Sequence, residues 1–200
     1  HVVVDGSNIA TEGRSQPSLE QLDEAVRSFL EEHPHDTLTV VVDATFAHRI
    51  DPSERDEYEL AVAANELLTP PAGAIGRGDA FVLQIADRAG ATVLSNDSFQ
   101  EFHGDYTWLF DEGRLIGGKP VPGVGWVFVA RSPVRGPASR RSVSDAKRRE
   151  DRKEPRSRDV TPAVRDRERR ERRPRNQPVE AGRQAEQPES DEQEPTGPEG

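Results

Sequence analysis

An α/β domain with a mostly parallel sheet covered by helices on both faces, followed by a disordered charged tail, is what this 200-residue sequence predicts. Three observations carry the expectation. Short β-branched runs alternate with amphipathic stretches of helical period. Two of those runs close in the same polar idiom, Asp5-Gly6-Ser7-Asn8 and Ser95-Asn96-Asp97-Ser98. Every Leu, Ile, Phe, Tyr and Trp lies before Arg131, so the front of the chain can bury a core and the back cannot. The expected boundaries are a folded domain over 1–132 and a tail over 133–200.

Val2-Val3-Val4-Asp5 reads as the first buried strand, running into a tight polar turn. Residues 10–16 form a polar loop containing Gly13 and Arg14. Ser18 then opens a helix, because Ser18-x-x-Gln21 is a capping-box pattern. Leu19, Leu22, Val26, Phe29 and Leu30 make its apolar stripe, which ends around His33-Pro34. His33 and His35 flank that proline as surface residues, with nothing beside them to complete a metal site. Residues 38–43 are a second buried strand, again closed by a carboxylate, Asp43. A loop over 45–52 carries His48 and Arg49. A second helix is expected from Ser53 through Leu68, with acids in its first turn where the macrodipole favours them.

Residues 72–75 read as a short third strand. Asp79 sits at the start of a helix whose Phe81, Val82, Ile85 and Ala89 share one spacing, with Gly90 as its natural stop. Residues 91–98 form a strand closed by Ser-Asn-Asp, and 99–102 make one helical turn. Trp108-Leu109-Phe110 and Trp126-Val127-Phe128-Val129 are expected to finish the sheet or its edge.

Charge divides where hydropathy does. Residues 1–130 hold 8 basic and 22 acidic residues, a net of −14. Residues 131–175 hold 18 basic and 8 acidic, a net of +10, and 176–200 hold 1 and 7, a net of −6. The absence of cysteine excludes disulfides, thiolate zinc sites and cysteine nucleophiles. No window approaches a membrane span and no signal sequence is visible, so the expected location is the cytoplasm and no membrane partner is expected. With His1 directly on a strand and no Met, the chain is expected to be trimmed at its front.

In a parallel sheet the strand C-termini share one edge, and ligands bind there. Asp5, Asp79 and Asp97 should therefore converge. Each alone is more readily a turn residue or helix cap than a ligand. Together they are like charges that need a cation between them, and carboxylate oxygens suit Mg²⁺ or Mn²⁺. Such a site suits phosphodiester hydrolysis, with Asn8 and Asn96 positioning water or a carboxylate and Ser7 an oxygen. Asp43 is a fourth acid, expected behind the other three. Dinucleotide-loop, integrin-type and aspartyl-phosphate motifs all fail on spacing.

The motifs Val-Val-Val-Asp5-Gly-Ser-Asn8-Ile-Ala, Gly-Asp79-Ala-Phe81-Val-Leu-Gln-Ile-Ala and Val-Leu-Ser-Asn96-Asp97-Ser-Phe99 resemble the NYN branch of the PIN-like nucleases, in particular the Regnase/MCPIP type. The resemblance spans residues 2 to 130. It implies a PIN-like three-layer α/β/α fold and a metal-dependent endoribonuclease cutting single-stranded or loop RNA. It implies Asp5, Asp79 and Asp97 as metal ligands and Asn8 as their companion. The family often has adjacent Asp residues where this chain has Gly78-Asp79, and the zinc finger of its animal members is absent here.

Substrate contacts are expected from Ser7, Arg49, Arg77, Asn96 and Lys119, with Arg14 and Arg114 as further cations of the groove. Arg77 is as readily a solvated loop residue. Trp108 and Trp126 read as packing residues ahead of base-stacking ones. The basic 131–175 segment is expected to tether RNA, against the alternative of a self-neutralising solubilising tail. Two other functions stay open: a catalytically weak RNA-binding or scaffold module acting through the tail, and a structure-specific DNA nuclease. Pairing of two copies also stays open.

Overall fold

The computed structural model of the protein describes residues 1–34, 36–71 and 78–153. Strand β1 (Val2–Asp5) lies in the middle of the sheet and alternates its side chains between two cores. Val2 and Val4 face one side with Leu22, Phe29, Phe46 and Ile50, while Val3 faces the other with Val82, Leu83 and Val93. A strand that is apolar on both faces must be covered twice, which makes the three layers. Parallel to β1 run β2 (Leu38–Val41) on one flank and β4 (Thr92–Leu94) on the other. Outside them lie β3 (Leu67–Leu68) and β5 (Leu115–Val121), both parallel, and β6 (Gly125–Ala130) closes the edge antiparallel to β5. The sheet order is β3-β2-β1-β4-β5-β6.

Directly after β1 comes a one-turn helix, α1 (Gly6–Ile9). Helix α2 (Leu19–Glu32) starts as its capping signal dictates: Ser18 Oγ accepts the Gln21 N–H at 3.2 Å. The Gln21 side chain does not return to Ser18; it donates to the carbonyls of Ile9 and Glu12, tying α2 to the end of α1. Leu19, Leu22, Ala25 and Phe29 are buried, whereas Leu30 is exposed. Phe29 has no exposed surface and meets Phe128 of β6 edge-on at 5.1 Å. On the opposite face α5 (Gly78–Ala89) packs Val82, Leu83 and Ala86 against the sheet.

Several elements differ from the sequence reading. The loop after β2 contains a helical turn, α3 (Phe46–Arg49). A 3₁₀ turn at Pro52–Glu54 leads into α4 (Arg55–Ala63), which stops before Leu68. Asn65 adopts a left-handed backbone, φ 60°, and ends the helix. Leu67 and Leu68 then pair with Val40 and Val41 as the third strand; residues 72–75, where the sequence suggests one, lie outside the described residues. Trp108-Leu109-Phe110 is no strand, since Thr107–Phe110 is a 3₁₀ turn with Leu109 buried under α5. The strand beside β4 is β5, whose Gly117-Gly118 pair hides it from a β-branched signal.

The structured chain also continues past residue 132. Pro137–Lys153 form a 17-residue helix, α6, where the sequence suggests disorder; residues 154–200 lie outside the described residues. Helix α6 has no apolar stripe because its docking is polar. Ser139 Oγ meets His103 Nδ1 at 2.6 Å, and His103 Nε2 meets the Ser98 carbonyl at 2.6 Å. A ring N–H facing that carbonyl leaves Nδ1 to accept from the serine hydroxyl. Gly104 N–H donates to Ser142 Oγ at 2.9 Å, and Arg149 reaches Asp105 at 2.9 Å. A Cβ on Gly104 would overlap the Ser142 carbonyl and touch Ala146, so this crossing needs glycine.

Gly104→Val is therefore expected to undock α6 without disturbing the sheet. Hydrogen exchange should show protection lost in 137–153 and kept in β1, β4 and α5. Full protection of α6 in this variant would show the close crossing to be dispensable.

Candidate active site at the C-terminal edge of the sheet

Strands β1, β2 and β4 end on one edge, and their ends surround a cleft of about 320 Å³. Its acids are Asp5, Asp43, Asp79, Asp97 and Glu12. Asp5 terminates the central strand and is only 5% exposed. It does cap a turn: Oδ1 accepts the Asn8 N–H at 3.2 Å. Its other oxygen, Oδ2, accepts the Ser95 hydroxyl at 2.8 Å. Burial pushes the Asp5 carboxyl up from 3.8 to about 7, against the lowering effect of the Ser95 bond. Asp79 and Asp97 each push it further up and the Asn8 N–H pulls it down, so Asp5 feels both other acids across the cleft.

Asp97 is set by a relay from the same serine. Ser95 Oγ accepts the Asp97 N–H at 3.0 Å, and Asp97 Oδ1 accepts the Phe99 N–H at 2.6 Å. Phe99 is held at φ 49°, a conformation costly for a bulky side chain, with its ring buried. Arg131 locks this turn from outside, donating to the Ser95 and Asp97 carbonyls at 3.0 and 3.1 Å and to Ser98 Oγ at 2.9 Å. Asp79 enters from the first turn of α5.

Asn8 and Asn96 act as rivets between strand ends. Asn8 Oδ1 accepts the Asn96 N–H at 2.8 Å. The Asn96 side chain pairs with Gly118 in both directions, at 2.7 and 3.1 Å, and donates to Glu12 at 2.9 Å. Asn8 lines the cleft and Asn96 does not. Ser7 lines it too, its Oγ accepting the Asp43 N–H at 2.8 Å.

Asp43 reaches further forward than the sequence suggests. It pairs with Arg49 at 3.3 Å, and a Cβ on Gly78 would lie 2.6 Å from its Oδ1. The Asp43 carboxylate occupies the space in which a side chain at 78 would begin. Arg49 lines the cleft, whereas Lys119 approaches it only by way of Glu12 at 3.7 Å. Arg77 lies outside the described residues. Arg114 lies at the opposite sheet edge, over the Trp108 ring and bonded to the Ala91 carbonyl, so it does not line the groove. Trp108 and Trp126 pack, the first bonded to Asp87 and the second buried on Phe128.

Sequence reasoning missed Glu12, Ser95 and Arg131. Glu12 was hidden in a polar loop, and the other two act through bonds to residues distant in sequence.

The donor set fits a hard divalent ion: carboxylate oxygens without thiol or imidazole in the cleft, around a buried acid whose ionisation its neighbours oppose. Among the described residues, no three acid or histidine side chains already close into a metal cage. Mg²⁺ asks for less, since it keeps several waters and takes one or two carboxylates directly.

The model of the Zc3h12a-like ribonuclease NYN domain family matches residues 1–115. No curated protein matches the chain. Two solved structures from Arabidopsis thaliana are similar to it, both 18% identical. One, described as nuclear proteinaceous RNase P 2 (PRORP2), has a TM-score of 0.49 and is matched over 67% of this chain and 30% of its own. The other, described as nuclear protein-only RNase P 2, has a TM-score of 0.48, with 66% and 30% covered.

A raised carboxyl pKa favours folding below the ordinary value of 3.8, and that contribution is lost as pH rises through about 7. In EDTA, Asp5→Asn should therefore raise the melting temperature at pH 8, with the gain shrinking toward pH 4. A gain independent of pH would contradict the buried, ionisation-resisting carboxyl.

Proposed function

The chain belongs to the Zc3h12a-like ribonuclease NYN domain family, and from that membership we propose that it is a metal-dependent endoribonuclease whose centre is the cleft at Asp5. One observation carries the reading. Asp5, Asp79 and Asp97 come from three separate elements and meet in a single cleft, where Asp79 and Asp97 both oppose the ionisation of the buried Asp5. Acids gathered in this way are costly to stability and are characteristic of functional sites.

Mg²⁺ or Mn²⁺, when bound, supplies neutralising charge at the phosphate and a more acidic water. The protein supplies the rest. Asp5 offers a carboxylate whose orientation is fixed by Ser95 and by the Asn8 N–H. Asp97 is aimed by the Ser95–Phe99 turn, and Asp79 faces it from α5. Asn8 holds the β1 and β4 ends at fixed separation, which keeps the acids in register for an in-line displacement. Asp43 adds a fourth carboxylate beside Gly78. Arg49, paired with Asp43 on the cleft wall, is placed to meet a phosphate oxygen. No side-chain nucleophile is required. RNA is the substrate expected of the family, and Mg²⁺ against Mn²⁺ is a matter of assay.

Asp5→Asn, Asp79→Asn and Asp97→Asn should each reduce cleavage of a labelled RNA oligonucleotide to the level seen with EDTA. Ser95→Ala, which only unfastens the ligands, should cost about 10- to 100-fold in activity or metal affinity. Asp5→Asn cutting as fast as wild type in Mn²⁺ would sink the assignment, and cutting of a DNA oligonucleotide alone would favour a DNA nuclease.

The Asp43–Gly78 contact makes a separate prediction. Gly78→Asp alone should weaken Mn²⁺ binding measured by calorimetry, because the new side chain and Asp43 compete for one volume. Adding Asp43→Ala should restore it. Unchanged Mn²⁺ affinity in the single variant would remove Asp43 from the site.

A further inference from the structure

Helix α6 presents a second chemical surface. Among its residues are seven cations and three anions, in a protein whose first 130 residues carry −14. Docking consumes the face of Ser139, Ser142 and Arg149. Helical spacing turns Arg140, Arg141, Lys147 and Arg148 to the other side, and all four are exposed. Arg140, Arg141 and Arg148 border an open groove of about 460 Å³ along this face, with Ser144 between them. One acid shares it, Asp145, 3.7 Å from Arg148.

The position of this groove matters more than its charge. Ala138, in the first turn of α6, lines the same hollow as Asp79, Asp97 and Gln100. The acid cleft therefore opens toward the start of α6. A strand with one phosphodiester at the acids has further phosphates to place on a surface that repels them. Arg141 and Arg148 stand about 10 Å apart along the helix axis, a span that follows a backbone past a single phosphate. The polar docking of α6, through His103, Gly104 and Asp105, fixes these cations relative to the acids.

We propose that α6 is a rail for the phosphate backbone of the strand that leaves the acid cleft past Ala138, with Arg140, Arg141, Lys147 and Arg148 contacting its phosphates. The inference rests on the nuclease reading of the cleft and adds how the substrate is held. It concerns the phosphodiester backbone, which RNA and DNA share.

The test uses the full chain in EDTA and fluorescence anisotropy with a labelled single-stranded RNA of about 20 nucleotides. Arg140→Glu/Arg141→Glu/Arg148→Glu should bind at least about tenfold more weakly and lower the slope of log Kd against log salt by about 2, as three lost phosphate contacts require. Gly104→Val keeps every cation but undocks the helix, and should also weaken binding several-fold. A DNA strand of equal length should lose affinity in parallel. Undiminished binding by the triple variant overturns the proposal. So does weakening by the triple variant alone, once hydrogen exchange shows α6 undocked in Gly104→Val, because the cations would then act without being placed. A loss confined to RNA, or equal binding of polyglutamate to the same face, also overturns it. Because binding is read without metal, failure here is distinct from failure of the nuclease reading, which Asp5→Asn cleavage decides.

Discussion

The bond between Ser95 Oγ and Asp5 Oδ2, 2.8 Å long and fully enclosed, is the contact on which the site depends. It joins residues 90 positions apart at the ends of two neighbouring parallel strands. Ser95 Oγ also accepts the Asp97 N–H, Asp97 Oδ1 accepts the Phe99 N–H, and Phe99 is held in a left-handed backbone with its ring in the core. A buried carboxyl thus becomes the first link in a chain of bonds that orients a second. Like charges a few ångströms apart repel by several kcal/mol at protein-like screening. Hydrogen bonds worth about 1 kcal/mol each do not abolish that cost, but they prevent the acids from relaxing into solvent. The cleft consequently concentrates unfavourable charge on an otherwise well-packed edge.

What could be read in the sequence follows the range of the interactions involved. Strands β1, β2 and β4 and helices α2 and α5 announce themselves because burial imposes a local period on their residues. Asp5, Asp79 and Asp97 were legible for a related reason: strand ends and helix starts map to one edge of a parallel sheet whatever the details. Leu67–Leu68 was not, because two residues carry no period and the helical spacing of Tyr58, Ala61 and Val62 in α4 runs on through Asn65 to Leu68. Strand β5 was not, because glycines interrupt it. Ser95 and Arg131 look ordinary in sequence, and the bonds that tie Ser95 to Asp5 and Arg131 to the Ser95–Ser98 turn span 33 to 90 positions. Asn96 was assigned to substrate or ligand from its type, yet the fold commits its side-chain amide to Gly118 and Glu12.

Helix α6 shows the limit from the other side. Disorder is the natural inference from a stretch whose only apolar residues are scattered Val and Ala, since hydrophobic burial is the usual compensation for ordering entropy. Here the compensation is polar and close-range: a buried histidine bridging Ser139 and the Ser98 carbonyl, a glycine crossing, and an ion pair to Asp105. None of these has a sequence period. Arg135 over the Phe110 ring at 3.9 Å adds a further anchor in the segment leading into the helix.

The two halves of the charge distribution then make sense together. An acidic cleft is suited to a cation and hostile to the anionic strand on which it would act, so affinity and chemistry cannot come from the same residues. Arg49 illustrates the difficulty, being already engaged by Asp43. Separating the tasks lets the acids remain dense at the sheet edge while cations on an adjoining helix offset the repulsion of the flanking phosphates. Such a division works only if the helix is fixed relative to the cleft, since a polycation free to wander would neutralise the acids it is meant to complement. The specific, glycine-dependent docking of α6 beside the Asp97 turn meets that requirement. Ser98 links the two directly: its carbonyl holds His103 beneath α6, and its hydroxyl accepts from Arg131, which also holds the Asp97 carbonyl.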